Sequence, residues 1–413
     1  MSKRSSKEGS IYHRGSAKDG RDLGWAAYAW VTRPDGTESR KYVYGPDRAT
    51  CHAKWIKLHG EAAAGPVASK APTVASYGTF WLNEIIKPYR APGTFDNHER
   101  FCRLFIFPTL GQKKLSTLRP LMLQSWFNKI AATCQCCYRG TDEGRLVADR
   151  KCCARIPKAC CEAVPSADTL HGIRTTFSAL WNRAAKAGVV TGSNPMASVE
   201  LGSIDRGSRS WWSTEEVNAF LQAARDGNDP AYVAYVLTLV LGLRRGEVLG
   251  LTWSCVDFDR GELRIERQLQ RVRGELLHRK TKTPKSMSVL PLPDICVAAL
   301  RHQMTRQAEW QQVAGTAWQA SGFVVTTRLG TPVEPRNFNR SFHARIKEAG
   351  VRRIKVHDAR RTCASILADL DVHPRVAMQI LRHAKFSMTM EVYTEVSSKS
   401  TREALRKLGE LLE

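Results

Sequence analysis

The apolar positions of this chain change their spacing twice, and the changes divide it into three regions. In "GWAAYAWVTRPDGTESRKYVYG" apolar and polar residues alternate on both sides of Pro34-Asp35-Gly36, which predicts two strands joined by a turn. "DRATCHAKWIKLHGEAAA" follows with helical spacing and Asp47 as the N-cap, and "EAAAGPVASKAPT" (61–73) is a small-residue, proline-containing linker. From there Val74, Tyr77, Phe80, Trp81 and Ile85 recur at helical spacing. The same period continues in "LRPLMLQSWFNKIAA" and in "ADTLHGIRTTFSALWNRAAKAGVV", whose Lys and Gly mark a helix end. These stripes read as core. The turn-rich "GSNPMASVELGSIDRGSRS" (192–210) leads into the third region.

That region opens on "WSTEEVNAFLQAA", where Ser213 and Glu216 have capping-box spacing. A long apolar helix is expected over "AYVAYVLTLVLGL" (231–243). "GELRIERQLQRVRGELLHRKTKTPKSMSVLPLP" has the alternation of a small antiparallel sheet, and mostly helical sequence follows. The fold class expected is multidomain, mainly α with small β-sheets: a small α+β domain (1–66), a helical domain (73–200) and a mixed α/β domain (209–406).

Composition narrows the partner. Among 413 residues, 63 Lys and Arg face 39 Asp and Glu, a net charge of 63 − 39 = +24. Such an excess suits a polyanion, most often nucleic acid; the plainer reading is a basic but inert surface. A membrane partner is not expected, since the longest apolar run falls short of the ~20 residues a span needs. "MSKRSSKEGS" lacks an apolar signal stretch, so a cytoplasmic protein with reduced thiols is expected.

Seven of the twelve cysteines crowd into "CQCCYRGTDEGRLVADRKCCARIPKACC" (134–161): Cys134, Cys136, Cys137, Cys152, Cys153, Cys160 and Cys161. Close-set thiols in a reducing compartment suit a structural zinc site built from four of them. The spacing follows no standard CxxC…CxxC template, and an insertion loop with incidental thiols is the other reading. No HExxH accompanies them to suggest a catalytic metal.

Several polar residues of the third region occur where they can be positioned. Arg244 in "GLRRGE" follows the apolar helix, with Glu247 three residues on, where an acid on the same helical face orients a guanidinium. Lys282 in "RKTKTPKS" is expected at the tip of a β-hairpin. His357 and Arg360 in "VHDARRT" share a face if that stretch is helical. His383 and Tyr393 follow in "RHAKFSMTMEVYTEV". Each alone is ordinary: a surface ion pair, a solvated lysine, a core histidine, a packed tyrosine. Their joint occurrence in this order is not.

With "GLRRGEVLGLTW", "TKTPKSMSVLPLP", "HDARRT" and "LRHAKFSMTMEVYTEV", the third region resembles the tyrosine recombinases, integrase-type enzymes that break and join DNA. The resemblance departs at Ala359, where the family often has Leu, and at Arg382, where it often has Gly. It implies a catalytic set of Arg244, Lys282, His357, Arg360, His383 and Tyr393, with Tyr393 the nucleophile of a 3′-phosphotyrosyl intermediate. Arginine forks suit non-bridging phosphate oxygens, histidines add hydrogen bonds or move protons, and a lysine can protonate the leaving 5′ oxygen. No cofactor is needed for such chemistry.

The resemblance further implies that 1–66 binds arm-type DNA and 73–200 binds core-type DNA. Implied partners are double-stranded attachment sites, a homotetramer in the synaptic complex, and a host DNA-bending factor or excisionase. Two alternatives remain at this point: a type IB topoisomerase that relaxes DNA, and a catalytically silent DNA-binding regulator.

Overall fold

In the computed structural model of the protein, the residues described are 10–17, 19–32, 38–64, 72–140, 144–150, 152, 157, 160–202, 211–280, 288–382, 386, 390 and 393. They form two compact units, Met1–Asp205 and Arg206–Glu413.

The first unit begins with an antiparallel sheet of β1 (Ser10–His13), β2 (Trp25–Thr32) and β3 (Glu38–Gly45), in the order β1-β2-β3. β1 was not expected: it is short and falls in the polar N-terminal stretch of the sequence. The expected β2–β3 pairing runs from Trp25↔Gly45 to Thr32↔Glu38, while its turn at Pro34-Asp35-Gly36 lies outside the described residues. Helix α1 (Arg48–Ala64) starts as expected at Asp47, whose carboxylate accepts from Thr50 N at 2.8 Å. It packs Leu58 onto Ala29 and Val31 and donates from Trp55 Nε1 to the Tyr28 carbonyl at 2.9 Å. Val43 of β3 packs against the same core. Arg40 lies over both the Tyr28 and Trp30 rings, and Tyr12, Tyr42 and Tyr44 are exposed.

The rest of the unit is helical: α2 (Val74–Phe80), α3 (Lys87–Tyr89), α4 (Pro92–Phe101), α5 (Phe107–Leu110), α6 (Pro120–Ala132), α7 (Gln135–Arg139) and α8 (Ala167–Lys186). Val74, Tyr77 and Trp81 are core as expected, but Phe80 is exposed and Ile85 only partly buried. The reason is a π-helical turn over Trp81–Ile86: its i→i+5 bonding rotates the face, so Leu82 and Ile86 point inward instead.

The second unit contains α9 (Thr214–Asp226), α10 (Tyr232–Val240), α11 (Arg245–Leu249), strands β4 (Val256–Asp257), β5 (Glu262–Ile265), β6 (Arg267–Val272), β7 (Glu275–Lys280) and β8 (Ser288–Pro291), then α12 (Asp294–Ala314), α13 (Pro335–Glu348), α14 (Val356–Asp369) and α15 (Pro374–Leu381). The capping box at Ser213 and Glu216 is formed. Trp212, Phe220, Tyr235 and Phe342 make one aromatic cluster with ring centroids 4.8–5.8 Å apart. Complete burial of side chains this large contributes ~1.5–3 kcal/mol each, so this cluster is a main support of the unit.

Two expectations change here. The long apolar helix is only nine residues, because Gly242 takes φ +58 and ends it; a Cβ there would meet Leu381 Cδ2 at 2.6 Å. The expected single sheet is two: β4-β5-β8 and the hairpin β6-β7, whose turn is at Arg273–Gly274. Lys282, expected at a hairpin tip, falls between β7 and β8 in residues 281–287, which lie outside the described residues. No helix among the described residues is long and apolar enough to cross a membrane.

Candidate active site

The break at Gly242 sets up the site. The chain leaves α10, turns, and re-enters helix at α11 with Arg244 at the N-cap. Arg244 and Glu247 are thus N-cap and N3 rather than two positions on one helical face. The Glu247 carboxylate accepts from Arg244 N at 2.9 Å and from Arg244 Nη1 at 2.7 Å. One acid thus closes the helix end and holds the guanidinium.

Glu247 has a second partner. Arg382 Nη2 donates to Glu247 Oε2 at 2.9 Å, with side-chain exposures of 1% and 3%. Burial works to raise the Glu247 pKa, but Arg382 and Arg244 outweigh it and hold the carboxyl below its ordinary value. Arg382 ends α15 at φ +53, the left-handed conformation that favours glycine. Its Nη1 also donates to the Ile380 carbonyl at 2.8 Å.

His357 and Arg360 lie at the start of α14, as expected. Arg360 is buried and donates to the carbonyls of Gly242 and Leu381, which tie the α10 turn and the end of α15 to its guanidinium. Its pKa is pushed down by burial and by Arg244 and Arg382, with Glu247 opposing. His357 is held below the ordinary imidazole value, first by desolvation and then by Arg360 and Arg361, so it is neutral at pH 7.

Arg244, His357 and Arg360 line one cavity of ≈ 410 Å³ together with Leu243, Arg245, Gly246, Asn339, His343, Lys355 and Val356. Among the described residues no carboxylate lines it. Arg245 donates to Asn339 at 3.0 Å, so α13 contributes a wall that sequence reasoning missed. The available signal was the i, i+4 pair Asn339 and His343, on the polar edge of a helix whose Phe338 and Phe342 are core. With four cations and the N-terminus of α14, the cavity suits an anion the size of a phosphodiester.

Tyr393 does not line the cavity. Its hydroxyl donates to the Val372 carbonyl at 2.6 Å, in the turn between α14 and α15, and burial raises its pKa. Lys282 and His383 lie outside the described residues, so three of the six expected site residues meet at the cavity. Of the cysteine group, Cys153 is outside the described residues; the other six fall into two overlapping groups of four, with the sulfurs of each group within 4.8 Å of one another.

Residues 210–400 match the phage integrase family. A "Tyrosine recombinase XerC-like" protein of Caldanaerobacter subterraneus is 24% identical, over 98% of this chain and 97% of the relative. The fold is similar to that of the Tn1549 transposon integrase solved with transposon right-end DNA, with a TM-score of 0.62 and 17% identity over 82% of this chain and 99% of that one. It is also similar to a lambda integrase tetramer solved on a Holliday junction, with a TM-score of 0.50 and 17% identity over 94% and 96% of the two chains.

Proposed function

We infer that this chain, a member of the tyrosine recombinase family, is a site-specific DNA recombinase of the integrase type, serving a phage or another mobile element. The observation that carries this reading is the convergence of Arg244 with the much later His357 and Arg360 on one cavity free of carboxylates among the described residues. Such a cavity attracts a DNA phosphate and, among the described residues, offers no carboxylate of the kind that holds a nuclease metal.

In the proposed reaction Arg244 and Arg360 hold the non-bridging oxygens of the scissile phosphate and stabilise the charge that builds there. The Tyr393 oxygen attacks phosphorus and passes its proton to neutral His357. The bond from phosphorus to the 5′ oxygen breaks, and that oxygen takes a proton from Lys282. His383 adds a hydrogen bond to the phosphate. A 3′-phosphotyrosyl link and a free 5′ hydroxyl result; attack by a 5′ hydroxyl of the partner strand reverses the step. One phosphoester bond forms for each that breaks, so no cofactor is consumed. Tyr393 must first leave the Val372 carbonyl.

Residues 1–66 and 73–200 are assigned to arm-type and core-type DNA. The exposed tyrosines and the stacked Arg40 on the β2–β3 face support the first assignment, since rings and guanidiniums suit a nucleic-acid surface. Double-stranded attachment sites are the partners, with four copies in the synaptic complex and a DNA-bending factor or excisionase setting direction in the cytoplasm. The cysteine-rich insert is assigned a structural zinc site outside this chemistry.

The test is to trap the protein covalently on genomic DNA of its host and sequence the attached ends. Recurrent ends at one site support recombination. Ends scattered without sequence preference, with relaxation of supercoiled plasmid, would instead indicate a topoisomerase.

A further inference from the structure

We propose that the cysteine-rich insert is a two-zinc thiolate cluster in which Cys134 and Cys152 bridge the ions; this rests on the zinc reading above and extends it. The sulfurs fall into two groups of four, each with all its members within 4.8 Å of one another: Cys134, Cys137, Cys152 and Cys160, and Cys134, Cys136, Cys152 and Cys161. Four sulfurs placed tetrahedrally at ~2.3 Å from Zn²⁺ lie ~3.8 Å apart. The closest pairs here are slightly tighter: 3.4 Å for Cys134–Cys152, Cys134–Cys161 and Cys152–Cys161, 3.6 Å for Cys136–Cys161 and 3.3 Å for Cys137–Cys152.

Two tetrahedra that share an edge need six sulfurs for two ions, with the shared pair innermost. That is the burial pattern observed. Cys134 and Cys152 are 7% and 1% exposed, while Cys137, Cys160 and Cys161 are exposed and Cys136 is intermediate. They are also the only buried residues among those described from 134 to 165. The apolar residues of the insert do not build a core: Leu146, Val147 and Val164 are 77%, 59% and 50% exposed. Metal coordination supplies folding energy where apolar burial cannot.

The backbone is also arranged for thiolates. Cys161 N points at Cys152 Sγ and Glu162 N at Cys160 Sγ, both at 3.4 Å. Each thiol releases its proton to solvent on binding. Six thiolates and two Zn²⁺ sum to a charge of −2, in a segment that carries Arg139, Arg145 and Arg150. The cluster ties down α7, whose Tyr138 stacks on Phe105 of the helical core at 5.8 Å, and joins the two ends of the insert where Gln135 N meets the Ala163 carbonyl at 3.0 Å.

The test is the metal content of the untagged full chain, purified reduced and without chelator, by elemental analysis and native mass spectrometry. Two zinc ions per chain are expected, one in Cys136→Ser or Cys160→Ser, and none in Cys152→Ser. Because Cys152→Ser can fail to fold, the metal-depleted wild type is also titrated with Co²⁺, whose thiolate charge-transfer absorbance should saturate at two equivalents. One zinc per chain with Co²⁺ saturating at one equivalent overturns the bridged cluster but leaves the single structural zinc standing. A zinc-free chain that gives no Co²⁺ thiolate band overturns both.

Discussion

Arg382 and Glu247 form an ion pair at 2.9 Å that is closed to solvent, and through it the residue that departs from the family pattern holds the acid that orients Arg244. Arg382→Gly would relieve the left-handed backbone, worth ~1 kcal/mol, yet remove one of two partners of a buried carboxylate. The expected net effect is a loss of about 1–3 kcal/mol in stability, with DNA cleavage retained because Glu247 still holds Arg244. Denaturant unfolding and single-turnover cleavage check this. Lost cleavage at unchanged stability would mean that Arg382 itself touches the phosphate.

Glu247→Gln removes the shared countercharge and should cost more, about 3–5 kcal/mol, because two guanidiniums then face each other uncompensated. The sign with pH follows from a depressed carboxyl. Its contribution is complete above the unfolded value of ~4.3 and is lost as pH falls through the lower folded value. The stability gap between wild type and Glu247→Gln should therefore close in acid. A gap that stays constant down to pH ~2 would contradict the ion pair as its source.

Arg244→Lys and Arg360→Lys keep the charge but lose the planar fork. Each should slow single-turnover cleavage by on the order of 10²- to 10³-fold. Near-normal rates in either variant would remove that arginine from the phosphate site.

The first part of this arrangement was legible in the sequence. Arg244, His357 and Arg360 stand in short motifs whose local helices fix them, and all three line one cavity. What was not legible depends on the third dimension. The role of Arg382 needs its positive φ and its burial; the wall from Asn339 and His343 needs the packing of α13. The inward turn of Leu82 in place of Phe80 needs a π-helical turn that no period reveals. Sulfurs from three separate cysteine clusters meet only after the insert folds back on itself, so their spacing along the chain follows no familiar template.

His357 should titrate below the ordinary value of ~6.5 in the DNA-free protein, because desolvation and Arg360 oppose its charge. Its contribution to stability is then complete above that value and falls as pH drops below it. Proton NMR of the imidazole, assigned with His357→Gln, reads the midpoint; one above ~6.5 would place a carboxylate rather than a guanidinium at its side.

Deletion of residues 1–66 should reduce binding to distal arm-type sites and lower the salt dependence of DNA binding, while cleavage at a core site continues. Gel shift and cleavage on the two kinds of site check this in a protein shown to be folded. Collapse of core cleavage would contradict a separable arm-binding region.

Which residue carries the DNA decides the central claim. A nicked duplex bearing the protein's own attachment site releases a short strand on cleavage and traps the covalent complex, and mass spectrometry of the digested complex identifies the linked peptide. The expected result is a 3′-phosphoryl link at Tyr393 in the wild type, and no link in Tyr393→Phe with site binding retained. A link on any other residue, or an adduct formed by Tyr393→Phe at the wild-type rate, would contradict it.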